Sequence, residues 1–224
     1  MIAVKFYCCL LTGILMLAVS TALAITDMND RKSFIIPRAE SPPKIDGTLD
    51  DDVWRNAAVI DDFHQTDPGD GVAPTENTIV RVLYDDDYLY IAANLRDSDP
   101  DKIQASQMIQ GRLFFSDDRF WVTFDSFNSK RNDCLFQDNA NGVRRETLRE
   151  NTARIMEEWA AIWHAQSALN DTGWATEIAI PFRLISFDPR RVNSRTFESA
   201  SRRPRTSAAN DLRGSKGLTN PSPR

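Results

Sequence analysis

From Thr78 onward the apolar residues of this 224-residue chain recur at every second position, a pattern that half-buried strands satisfy and helices do not. Thr78 to Tyr84 and Tyr88 to Leu95 flank Asp85-Asp86-Asp87 and read as a hairpin. Its second strand turns Leu89, Ile91, Ala93 and Leu95 to one face and Tyr88 and Tyr90 to the other. Arg119 to Asp125 alternates Phe120, Val122 and Phe124 against Trp121, Thr123 and Asp125, and Asn132 to Asp138 reads as a further strand around Phe136. Trp159 to Leu169 and Trp174 to Ile180 pair across Asn170-Asp171-Thr172-Gly173, and Pro181 ends the last strand because it has no N–H to donate. The polar stretch from Asn141 to Glu158 is expected to be helical in part. Upstream, Ile45-Asp46-Gly47 makes a turn, and Asp50 is placed to cap a short helix carrying Leu49, Val53, Trp54, Ala57 and Ala58, with Trp54 as its anchor. Many short strands separated by turn signals predict an all-β fold, an antiparallel β-sandwich with one or two short helices.

The two ends differ from this middle. Residues 1–24 combine Lys5, an apolar run from Phe6 to Val19 and the small-residue sequence Ala22-Leu23-Ala24, the layout of a cleavable secretory signal. The run is shorter than the ~20 residues that span a bilayer, and no transmembrane helix is expected after cleavage. Residues 25–43 form a polar leader with Pro37, Pro42 and Pro43, and residues 44–189 form the domain. Residues 190–224 hold nine basic residues against Glu198 and Asp211, with Phe197 as their only aromatic, and are expected to be a disordered basic tail. The tail lacks aromatic interleaving and any periodic face, so a nucleic-acid partner is not expected. Cys8 and Cys9 fall inside the signal, leaving Cys134 alone and ruling out an intramolecular disulfide in the mature chain. Between Asp133 and Leu135 it reads as a passive strand residue.

Candidate chemistry is sparse. His64 and His164 lack partners at zinc-ligand spacing, and no G-x-S-x-G context surrounds a serine. Asp171-Thr172-Gly173 matches an aspartic-protease tripeptide, but it occurs once and sits where a hairpin must turn. The clusters Asp50-Asp51-Asp52, Asp85-Asp86-Asp87, Asp97 with Asp99, and Asp117-Asp118 suit turns. They leave a structural calcium open, without EF-hand spacing to support it. Trp121, Trp159, Trp163 and Trp174 are the large rings on which a pyranose C–H face would stack, and Trp121 stands out because its strand sends Phe120, Val122 and Phe124 the other way. No catalytic residue is assigned.

Four pieces in order resemble the family 9 carbohydrate-binding modules. Ile45-Asp46-Gly47-Thr48-Leu49-Asp50-Asp51-Asp52-Val53-Trp54 is similar to their opening, and Val80 to Asp85 with Tyr88 to Ile91 to their next hairpin. Asp118-Arg119-Phe120-Trp121-Val122-Thr123-Phe124-Asp125 resembles their following strand, and Gly173-Trp174-Ala175-Thr176-Glu177-Ile178-Ala179-Ile180-Pro181 their G-W-x-x-E strand. Phe63-His64-Gln65 to Pro68, Pro74-Thr75-Glu76, and Asp125 to Asn128 with Arg131-Asn132 are similar to links in a group that precedes a long outer-membrane β-barrel. The resemblance implies a jelly-roll-like sandwich, saccharide binding linked to carbohydrate catabolism, no catalytic residue in the module, and a periplasmic or outer-membrane location. It places Phe115 where family members carry a first sugar-stacking tryptophan and Trp121 where they carry an acid. Gln137 and Asn139 take the polar positions that follow, with arginine absent there. Calcium candidates are Asp85, Asp97 and Asp125.

Past Asp188-Pro189 the related chains continue with a Trp-Gly strand, whereas this one becomes rich in Arg, Ser and Pro. A frameshift near Val192 to Arg195, truncating the module, is expected in preference to a native basic tail; a gene sequence in which no one-base shift restores the Trp-Gly strand removes it. Two other expectations stand beside sugar binding: an accessory module of an outer-membrane barrel that binds no sugar alone, and a part of a secreted glycoside hydrolase.

Overall fold

The computed structural model describes residues 35–65, 72–125, 131–151, 154–185 and 196–202; the signal, most of the leader and the tail beyond residue 202 lie outside the described residues. In chain order the strands are β1 (Ala58–Ile60), β2 (Thr78–Tyr84), β3 (Tyr88–Arg96), β4 (Arg119–Asp125), β5 (Asp133–Asn139), β6 (Arg144–Glu150), β7 (Arg154–Met156), β8 (His164–Asn170), β9 (Gly173–Pro181) and β10 (Thr196–Arg202). They form two five-stranded sheets, β1-β2-β3-β9-β8 and β10-β4-β5-β6-β7, in which every pairing is antiparallel. The all-β sandwich read from the sequence is the fold. Its helical content among the described residues is three short 3-10 turns, Asp52–Asn56, Pro100–Lys102 and Phe182–Leu184.

The period-two pattern accounts for the layers. Val80, Val82, Leu89, Ile91, Ala93, Leu95, Trp174, Ile178 and Ile180 point inward from the first sheet. They meet Phe120, Val122, Phe124 and Phe136 from the second. Phe136 centres an aromatic cluster, edge-on to Phe124 at 6.1 Å, Trp159 at 5.8 Å and Trp163 at 5.3 Å between ring centroids. The outer face of the first sheet is covered too: Leu83, Tyr90, Ala92 and Ala179 pack under Ala39 and Trp54, flanked by Ile45, Leu49, Val53 and Ala57.

One carboxylate fastens that outer layer. Glu177, fully buried on β9, accepts the Trp54 indole N–H at 2.8 Å on one oxygen and the backbone N–H groups of Asp46 and Gly47 at 2.9 and 3.0 Å on the other. Burial raises its pKa, and the three donors act against that rise. Gly47 has φ +88°, and a Cβ there would lie 2.9 Å from the Ser167 carbonyl carbon, so the turn comes this close to β8 only with glycine. Gly173 is tighter still, since a Cβ would fall 2.1 Å from the Leu95 carbonyl oxygen.

A second buried carboxylate joins the two sheets. Asp138 on β5 accepts the hydroxyls of Ser167 on β8, at 2.7 Å, and of Thr176 on β9 through the same oxygen, while its other oxygen has no partner. Burial pushes its pKa up to about 7.

Several expectations change. Residues 144–156 of the stretch expected to be partly helical include strands β6 and β7. Arg, Glu and Leu are good helix formers, but pairing with β5 wins because Glu146 can turn inward, where its carboxylate accepts the Ala161 N–H at 3.1 Å and the Trp163 indole N–H at 3.0 Å. The hairpin strand expected from Trp159 begins at His164, and the Trp159 and Trp163 rings fill the core ahead of it. Asp51, not Asp50, precedes the first 3-10 turn, and its carboxylate accepts the Lys44 N–H instead of capping. Seven residues of the stretch expected to be a structureless tail form β10 on the free edge of β4, where unpaired backbone groups offer a ladder.

Removing the Glu177 carboxylate strands three donors, so Glu177→Ala is expected to destabilise the domain by about 3 kcal/mol, measured by urea unfolding. For Asp138 the folded pKa lies above the unfolded one, so its favourable contribution is full below about pH 4 and is lost as pH rises through about 7. The melting temperature of Asp138→Asn relative to wild type is therefore expected to climb between pH 4 and 8, as read by circular dichroism. A difference that stays flat would refute the assignment.

Candidate functional site

The inner face of the second sheet is committed to the core, so any site on this sheet must use its outer face. Cross-strand register sets Trp121 on β4 opposite Gln137 on β5, and Gln137 opposite Arg145 on β6. The adjoining row is Glu198, Thr123, Leu135 and Thr147 by backbone register, and the one beyond it pairs Asp133 with Arg149. On the other side, Arg119 faces Asn139.

These polar side chains are unusually sequestered for an outer face. Gln137 is 4 % exposed and Arg145 7 %, and Thr123 and Thr147 are also buried. Gln137 makes no side-chain hydrogen bond among the described residues, and Arg145 makes a single 3.4 Å contact, to Glu157. Burial lowers the Arg145 pKa, opposed by Glu157 and Glu146, yet a guanidinium remains charged. Trp121 is half-buried and carries the Arg119 guanidinium 5.3 Å above its ring, while Arg119 also donates to the Phe114 carbonyl. A flat ring, an amide and a cation in register, with no carboxylate in the row, can stack and hydrogen-bond a polar ring compound. The row offers no carboxylate pair for hydrolysis.

The four expected ligand residues have different surroundings. Trp121 and Gln137 share the row. Phe115 lies on the loop entering β4 and is 89 % exposed, next to the buried Phe114. Asn139 is fully buried and satisfied within the chain. Its amide donates to the Gln107 carbonyl at 2.9 Å and to Asp117 at 2.8 Å, and its carbonyl accepts the N–H groups of Asn141 and Val143. Asp117 also accepts from Ser106 and Gln107, so Asn139 and Asp117 pin the 103–118 loop to the sheet end. Burial drives the Asp117 pKa upward, but these hydrogen bonds hold it below its ordinary value.

Arg145 and the two threonines were missed in the sequence. The signal was the alternation of Arg145, Thr147 and Arg149 against Glu146 and Leu148, which a helical reading of that stretch conceals. Of the other rings considered, Trp163 and Trp174 are core residues and Trp159 packs against the core. Cys134 is half-buried, its pKa pushed up to about 11 by burial and by Asp133, which suits a passive thiol. Asp171 and Thr172 form the hairpin turn, with Asn170 accepting the Thr172 N–H and hydroxyl.

The calcium candidates do not converge. Asp85 and Asp97 stand beyond opposite ends of β3, a nine-residue strand about 30 Å long, and Asp125 ends β4 in the other sheet. Asp85 accepts the N–H groups of Asp87 and Tyr88 and the Tyr90 hydroxyl, and Asp97 accepts the Asp99 N–H. Among the described residues no three His, Cys, Asp or Glu side chains gather as a metal site.

A family model described as Carbohydrate family 9 binding domain-like matches residues 45–211. The chain belongs to this family. No curated protein matches it. A family 9 carbohydrate-binding module from Caldicellulosiruptor kristjanssonii in complex with cellotriose is similar in structure, with a TM-score of 0.56 at 16% identity, covering 84% of this chain and 95% of that one. The same kind of module from that organism in complex with glucose matches with a TM-score of 0.56 at 16% identity, over 85% and 98% of the two chains. A Bacteroides uniformis protein named for carbohydrate binding gives a TM-score of 0.62 at 12% identity, over 86% and 94%. At these identities the likeness establishes the shared sandwich. The family match extends beyond Pro189 through β10.

If Gln137 is held for a ligand and Asn139 for the fold, their substitutions separate. Gln137→Ala is expected to change unfolding free energy by under about 0.5 kcal/mol, and Asn139→Ala to cost roughly 2–4 kcal/mol, on urea titration. Equal losses would contradict the division.

Proposed function

We propose that this family 9 binding domain is non-catalytic and holds a saccharide on the outer face of the β10-β4-β5-β6-β7 sheet. Trp121 stacks on the C–H face of a pyranose, and Gln137 and Arg145 hydrogen-bond its hydroxyls, with Thr123 and Thr147 flanking them. The observation that carries this reading is the pair of largely buried, underused polar groups in register with an outward tryptophan. Buried amides and guanidinium groups ordinarily find partners within the chain, and these two leave most of their hydrogen-bonding capacity unspent. The sugar complexes of the Caldicellulosiruptor modules support the same reading.

Phe115 lies on the loop entering the strand that bears Trp121, its exposed ring available as a second apolar surface. Asn139 contributes indirectly, by holding that loop through Asp117.

Isothermal titration of the protein against mono- and oligosaccharides, neutral and acidic, is expected to give saturable heat with at least one of them. Trp121→Ala is expected to weaken that binding by about tenfold or more, with an unchanged circular dichroism spectrum. Absence of heat with every saccharide, or full binding by the Trp121 variant, would overturn the proposal.

A further inference from the structure

Arg145 is a buried cation that the protein matches weakly: Glu146 acts on it only through space, from the opposite face of the same strand, where its carboxylate serves Ala161 and Trp163. Of the five N–H donors of Arg145 one reaches Glu157, at 3.4 Å, near the limit of a hydrogen bond, and that carboxylate side chain is 62 % exposed and so well screened by water. Arg149, two residues along the same strand, shows what a completed pair on this sheet looks like. Its Nε lies 3.1 and 2.8 Å from the two oxygens of Asp133, and its Nη2 2.6 Å from one of them. The side chains beside Arg145 in register, Gln137 and Trp121, and in the next row Thr147, Leu135 and Thr123, bring no acid to neutralise it, and Glu198, which follows Thr123 in that row, is on β10, three strands from β6.

A sugar hydroxyl can accept a hydrogen bond from a guanidinium, but it brings no charge to balance one held out of water. A carboxylate does both, and its two oxygens fit the planar fork. The spacing agrees with such a ligand. Trp121 and Arg145 are separated by one intervening strand, about 10 Å across the sheet, so a pyranose stacked on Trp121 would carry an exocyclic carboxylate past Gln137 toward Arg145. We propose that the ligand of this face is an acidic saccharide, a uronic acid or a glycan that contains one, with its carboxylate received by Arg145. The inference rests on the sugar-binding reading given above and narrows it to a substrate class.

The test is titration calorimetry on the full chain with three sets of oligosaccharides: uronate-containing, neutral with the same linkage, and the neutral set carrying O-sulfate. Wild type is expected to bind the uronate set about tenfold or more tightly than the neutral one, as a charge-assisted pair implies. Arg145→Gln is expected to abolish that preference, so that within this variant the uronate and neutral sets bind with equal affinity, both weaker than the uronate set binds wild type. Arg145→Lys, which keeps the charge and loses the fork, is expected to restore only part of it, and guards against a misfolded glutamine variant. Equal affinity for uronate and neutral sugars in wild type, or a preference that survives Arg145→Gln, would overturn the carboxylate assignment and leave sugar binding intact. Equal affinity for sulfated and uronate sugars would overturn the choice of a carboxylate over other anions. Failure of all three sets to bind would overturn the underlying reading as well.

Discussion

The buried Glu177 carboxylate is the constraint on which the arrangement of this domain rests. A sandwich needs cover wherever a sheet is apolar on both faces, and the first sheet is: Leu83, Tyr90, Ala92 and Ala179 face away from the main core. The segment from Ile45 to Ala57 supplies that cover, and it has little regular structure of its own to hold it in place. Glu177 substitutes for a ladder by gathering two backbone N–H groups and one indole N–H from this segment. A carboxylate buried without donors is strongly disfavoured, so the same interaction that fixes the segment also makes Glu177 tolerable on β9. The Ile-Asp-Gly turn, Trp54 and the Gly-Trp-x-x-Glu strand, far apart in the chain, thus serve one contact.

The interior repeats the device. Glu146 receives the Trp163 indole and a backbone N–H, and Asp138 receives hydroxyls from both strands it faces across the sandwich. In each case an acid lies at a position where alternation would place an apolar side chain. These acids fix the relative placement of elements that hydrophobic contact alone would allow to slide.

The strands that could be read from the sequence are those whose inward residues are mostly apolar. Leu89-Ile91-Ala93-Leu95 and Phe120-Val122-Phe124 announced their faces, and the hairpin turn at Asp171-Thr172 followed from the residues that make turns. β6 was hidden because Arg144 and Glu146 occupy inward positions, which makes the segment look uniformly polar. The candidate site inherited that blind spot. Trp121 and Gln137 lie on legible strands and were found, whereas Arg145 lies on β6 and was not. Asn139 was misleading for another reason: its place on the same face as Gln137 follows from alternation, but its hydrogen bonds to Asp117 and Gln107, 22 and 32 residues away, depend on tertiary structure.

The pairing of β10 with β4 bears on the order in which the domain can assemble. Trp121 lies on a strand whose one edge meets β5, a close neighbour in sequence, and whose other edge meets residues 196–202, beyond β9. Closing so long a loop is entropically costly and slow compared with forming the hairpins. During synthesis the chain emerges from its N-terminus, so the strand bearing the tryptophan waits for its second neighbour until the other described strands have been made. The face proposed to bind sugar is therefore the last part of the sandwich to be completed.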